Sequence, residues 1–108
     1  MGWKPPVRES QWKPPVHWTK QVQSLEQDQA AGGRDYRKVK ADPRALARVV
    51  LRRQHRRIYA ALRWQADKEL HSHYLGEVTE DTRKENLRAG WRRARREGLT
   101  PGNAAELR

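Results

Sequence analysis

The chain has 108 residues, 35% of them hydrophobic and 34% charged, with no cysteine, no phenylalanine and a formal net charge of +11. That length allows one small domain at most, and the missing cysteine excludes disulfides, thiolate metal sites and cysteine nucleophiles. No apolar run approaches the roughly 18 residues of a spanning helix, and so large a positive charge points to a polyanionic partner without specifying a fold.

Residues 1–20 form a Trp- and Pro-rich arm in which WKPPV occurs twice, at 3–7 and 12–16. Pro5-Pro6 and Pro14-Pro15 remove four backbone donors and hold the chain extended. At ~3.1 Å per residue the two copies lie roughly 28 Å apart. The spacing predicts an arm that touches a large partner twice, with Trp3, Lys4, Trp12, Lys13 and Trp18 as its docking residues. The arm has no apolar signal core, Glu9 and the proline pairs do not suit a transit peptide, and Pro6 stands where a myristoylation site needs Ser or Thr.

Residues 21–41 read as a polar linker with a short helix that stops at Gly32-Gly33. From Asp42-Pro43, an N-cap followed by Pro at the first helical position, no breaker interrupts the chain until Gly76. The expectation is one long helix over about 43–75, ~50 Å in length. Ala47, Leu51, His55, Ile58, Tyr59, Leu62 and Ala66 would gather on one face of it. Arg52, Arg56 and Arg63 would form an adjacent strip, with Arg53 and Arg57 further round. A second helix over about 82–97 opens on the capping box Thr82–Glu85 and ends at Gly98. Leu87, Trp91 and Ala94 are its narrow apolar seam, and Arg88, Arg92, Arg93, Arg95 and Arg96 cover the rest. The basic helical region thus spans 42–98, followed by a tail at 99–108. The fold class read from these elements is all-α with extended arms and little hydrophobic core of its own.

Catalytic and metal chemistry find no support. On a helix His71 and His73 would point about 200° apart and could not share an ion. Glu80, Asp81 and Glu85 suit a helix start, where negative charge is favoured. Gly32-Gly33 lacks the strand and the Lys-Ser/Thr of a phosphate loop. The reading is therefore a non-enzyme with no metal, cofactor or small-molecule substrate.

The cations are mostly arginine, 17 against 7 lysines, and arginine pairs bidentately with phosphate and stacks on aromatic rings. Positive charge is concentrated in two blocks. Residues 34–57 hold ten basic and two acidic residues, residues 81–108 hold eight and four, and 58–80 is net negative. The composition favours a structural subunit of a ribosome or similar ribonucleoprotein particle, in the cytoplasm or a mitochondrion. Its RNA would meet Arg52, Arg53, Arg56, Arg57, Arg63, Arg88, Arg92, Arg93, Arg95 and Arg96, beside neighbouring proteins. The alternative is an architectural protein that staples an acidic protein lattice, such as tubulin in a ciliary axoneme, through its arm.

Overall fold

A computed structural model of the chain describes residues 6–101. After a 3-10 turn at Glu9–Gln11 come α1 (Lys20–Ala31) and a second 3-10 turn (Arg34–Arg37). Five strands follow: β1 (Lys38–Val39), β2 (Asp42–Leu46), β3 (Arg48–Gln54), β4 (Arg57–Ala66) and β5 (Glu69–Val78). The last element is α2 (Arg83–Arg96). β1 and β2 form a small hairpin, and β3-β4-β5 form an antiparallel meander with α2 across one face and α1 packed against α2 beside the edge of β3.

The all-α expectation is therefore wrong at its centre: no helix occupies 43–75. The apolar residues there fit two periods at once. Val49 and Leu51 alternate with outward residues at period two, as do Ile58, Ala60 and Leu62. The intervening turn then sets Leu51 seven places from Ile58, which mimics a helical stripe. The β-branched Val49, Val50 and Ile58 favour the pleated surface. The turns carry neither Gly nor Pro, which is why no breaker is visible. His55 takes φ 58° between β3 and β4, and Asp67 and Lys68 take φ 50° and 67° between β4 and β5. Two successive left-handed residues make the turn that matches the twist of a hairpin. Asp42-Pro43 does not open a helix either. Asp42 Oδ1 accepts from Arg44 N at 3.2 Å, and Pro43 sits exposed in a short edge strand where a missing donor is tolerated.

α2 forms where its caps predict, and α1 stops at the expected glycines but starts at Lys20, inside the expected arm. Thr19 accepts from Val22 N at the start of α1, and Gly32 closes it at φ 94°. Thr82 accepts from Glu85 N at the start of α2, and Gly98 follows its end at φ 78°. Leu87, Trp91 and Ala94 are fully buried.

The chain also has the core it was expected to lack. Sixteen hydrophobic residues are buried among the described ones, and seven of them are alanines. A thin layer needs little apolar volume to fill it. Where α2 crosses the sheet, a Cβ on Gly90 would lie 2.6 Å from Val49 Cγ1 and 3.5 Å from Ala60 Cβ. The radius of gyration is 14.0 Å, near the ~13 Å of a folded chain of this length.

Buried polar groups complete the interior. Val49 is on the outer edge of β3, with its backbone turned away from β4. Gln27 from α1 meets that edge like a strand: its Nε2 donates to Val49 O at 2.9 Å and its Oε1 accepts from Val49 N at 3.0 Å. The same Oε1 accepts from Trp91 Nε1 at 3.1 Å. One step along, Arg37 Nε donates to Ala47 O at 2.9 Å, while its Nη1 meets Asp28 Oδ1 at 2.7 Å. An edge that would otherwise invite another strand is thus closed from within.

The N-terminal segment, expected to reach out to a partner, is stitched to the body over residues 8–12. Gln11 Nε2 donates to Glu80 O at 3.1 Å, and Asn86 Nδ2 donates to Gln11 O at 2.8 Å. Arg83 donates to Trp12 O and forms a nearly buried ion pair with Glu26, 2.9 Å at its closest. Trp12 packs half-buried against the core. Trp3 and Lys4 lie outside the described residues.

Candidate nucleic-acid interface

Strand alternation decides what the meander shows to solvent. With Val49, Leu51, Ile58, Ala60 and Leu62 turned to the helices, the intervening residues face outward. The cross-strand register then sets Arg48 opposite Arg63, Val50 opposite Ala61 and Arg52 opposite Tyr59. On the other side of β4, Tyr59 lies opposite Glu77, Ala61 opposite Tyr74 and Arg63 opposite Ser72.

A bulge makes this face possible. The register shifts between Ala60, which pairs with Gly76, and Ala61, which pairs with Tyr74. Leu75 is the extra residue, and it turns inward and is buried. Gly76 takes φ 112°, and a Cβ there would meet Arg93 Nη1 at 2.8 Å; that same Nη1 donates to Leu75 O at 3.3 Å. The bulge thus buries Leu75 while Tyr74 stays outside, 63% exposed. The rings of Tyr59 and Tyr74 sit 6.0 Å apart, inclined at 40°. Together with Arg52, Arg53 and Gln54 they line an open depression of about 590 Å³.

The electrostatics of the face are one-sided. Arg57 meets Glu77 at 3.5 Å, and Glu77 is the single acid that the described strands place on the face. Arg48, Arg52 and Arg63 form no ion pair among the described residues. Arg48 and Arg63 are like charges directly opposite one another, an arrangement that weakens a sheet. Arg63 Nε is buried and lacks a hydrogen-bond partner among the described residues. Small Val50 and Ala61 lie between them, with Tyr74, Arg48 and Arg52 exposed and Tyr59 and Arg63 half-buried. Such a surface can pair with phosphates and stack on bases at once.

The residues singled out from sequence are distributed over two layers. Arg52, Arg57 and Arg63 share the open face with Tyr59 and Tyr74. Arg53, near the end of β3, lines the depression as well and its Nη1 donates to His55 O at 3.0 Å, while Arg56 is in the β3–β4 turn. Arg88, Arg92 and Arg96 are exposed on α2, on the opposite side of the molecule. Arg93 is held at the bulge, and Arg95 Nη1 donates to Ala31 O at 3.1 Å. Lys13 pairs with Glu9 at 3.2 Å, and Trp18 borders the helices. Arg48 and Tyr74 are not among the residues expected from sequence, and Tyr59 lies on the open face instead of an apolar helical stripe. Period-two alternation in Arg48–Gln54 and Arg57–Arg63 was the signal that would have found them.

The histidines lie on a strand and not on a helix. On β5, positions two apart share a face, so His71 and His73 point the same way. His71 stacks on Trp64 with centroids 5.5 Å apart, and His73 Nε2 lies 3.2 Å from Glu97 Oε1. The described residues contain no group of three or more His, Asp or Glu arranged to hold a metal ion, and no helix among them is long and apolar enough to cross a membrane. No family model, curated protein or solved structure matches this chain.

Proposed function

We propose that the chain is a non-enzymatic nucleic-acid-binding module, a component of a ribonucleoprotein particle that holds single-stranded RNA on the open face of its meander. The observation that carries this reading is the juxtaposition of Arg48, Arg52 and Arg63, without acidic partners among the described residues, around the neighbouring rings of Tyr59 and Tyr74. Two like charges opposed across strands weaken the free protein, and a phosphate between them reverses the sign of that interaction. Unpaired bases supply the π-faces that exposed tyrosines can stack on, whereas bases inside a duplex do not. The alternative of an arm stapling an acidic protein lattice has less to stand on, since Trp12 is packed into the chain's own body.

The test is fluorescence anisotropy with labelled single-stranded RNA over a salt series, with duplex DNA and duplex RNA alongside. Replacing both tyrosines by alanine should weaken single-strand binding by about 1–3 kcal/mol per stacked base. A preference for duplex, or affinity indifferent to both tyrosines and to Arg48, Arg52 and Arg63, would sink the proposal.

A further inference from the structure

The opposite layer of the molecule carries a second surface. α1 and α2 pack side by side, and a groove runs between them. At one end it holds about 360 Å³ against Trp18, Val22, Leu25 and Leu87, with Lys84 beside them. At Gln29 and Ala30 it continues into a hollow of about 240 Å³ bordered by Arg88 and Arg92. Its floor there is small, made of Ala30, Ala31 and Gly32.

Both halves are incomplete as they stand. Leu25 is 56% exposed and Val22 39%, next to one another on α1 and beside the cavity that Trp18 and Leu87 also line. Arg88 and Arg92 are exposed and have no ion-pair partner among the described residues. The α1 carboxylates that could have faced them are engaged elsewhere, Glu26 by Arg83 and Asp28 by Arg37. From Lys84 to Arg92 the α2 side of the groove runs about 12 Å, or two helical turns.

The pairing of an apolar half with a cationic half selects the occupant. A phosphate backbone would satisfy Arg88 and Arg92 but leave Leu25 and Val22 in water. A flat lipid surface would not enter the hollow. We infer that the α1–α2 groove docks an acidic amphipathic segment of a partner protein. Its apolar side chains seat against Trp18, Val22 and Leu25, and its carboxylates, one or two turns further on, pair with Arg88 and Arg92. This surface is independent of the sheet face and does not rest on the RNA reading.

The probe is a labelled helix-forming peptide of about four turns with leucines near one end and glutamates near the other. It is titrated onto the full chain by anisotropy and by amide chemical-shift mapping. Shifts should centre on Val22, Leu25, Arg88 and Arg92 and spare Tyr59 and Tyr74. Leu25→Ser, and separately Arg88→Gln with Arg92→Gln, should each weaken binding about tenfold or more, a loss of ~1.4 kcal/mol. All three side chains are exposed, so circular dichroism should show the fold intact. Arg88→Glu with Arg92→Glu should reverse the preference toward a peptide carrying lysines in place of glutamates. The inference is overturned by absent binding, by shifts on the sheet face, or by polyglutamate binding as well as the peptide with Leu25→Ser inert. Displacement of the peptide by single-stranded RNA, with RNA shifts on the groove, overturns it as well.

Discussion

Gln27 has a single side chain in three hydrogen bonds, two to the edge of β3 and one to Trp91. Gln27→Leu keeps the bulk but leaves an amide, a carbonyl and an indole N–H buried without partners. At about 1–3 kcal/mol for each stranded group, urea unfolding should show a loss of ~3 kcal/mol or more. Gly90 makes the complementary case. Gly90→Ala would gain up to about 1 kcal/mol in helix propensity, yet its Cβ would meet Val49 at 2.6 Å. Overpacking costs about 1–3 kcal/mol, so the variant should unfold at lower urea. A midpoint higher than that of the parent would show that Val49 yields without cost. On the proposed RNA reading, Arg48 and Arg63 are opposed for binding and not for stability. Arg63→Gln should leave the folded state unchanged or firmer by a few tenths of a kcal/mol, while the RNA salt slope falls by about 0.7. Weaker folding with unchanged binding would contradict the assignment of that residue.

At the scale of the element, the helices were legible and the strands were not. Gly32, Thr82 and Gly98 are local signals whose partners lie within a few residues, so the end of α1 and both ends of α2 are read from them, while the start of α1 at Thr19 falls in the stretch expected to be an extended arm. The meander strands pair with their sequence neighbours through tight hairpins, but the turns that join them carry no Gly or Pro to mark where one strand ends and the next begins. Lys68 at φ 67° is the clearest instance, since a lysine in that conformation costs about 1 kcal/mol or more. Asp67→Asn with Lys68→Gly supplies the residues that a two-residue hairpin turn favours. It should raise the melting temperature by several degrees, at ~4–8 °C per kcal/mol for a domain near this size. An unchanged or lower transition would mean that Lys68 contributes more through its contacts than its backbone loses.

For the whole molecule, the shortage of apolar residues proved misleading. Alanines and Gly90 let α2 approach the sheet closely, and Gln27, Arg37 and Asn86 supply buried and part-buried hydrogen bonds between separate segments of the chain. The isolated chain should therefore melt cooperatively without RNA, with coincident transitions by circular dichroism and Trp fluorescence. Non-coincident or absent transitions would restore the expectation that a host is needed for folding. The candidate site was half legible on the same grounds. Arg52, Arg57 and Arg63 stood out by charge, which is countable in a sequence. Tyr59 and Tyr74, 15 positions apart, become neighbours only when β4 pairs with β5 and the bulge at Leu75 turns the second ring outward.

Charge, arginine excess, the cap-bounded helices and the absence of thiol chemistry were determined by the sequence alone, because each depends on residue identity or on neighbours within one turn. The meander, the paired tyrosines, the closed edge of β3 and the separation of basic residues into two layers were decided by tertiary structure. A stretch whose apolar residues satisfy both a helical and a strand period has no local preference strong enough to choose. The choice fell to burial against α1 and α2, which lie at opposite ends of the chain.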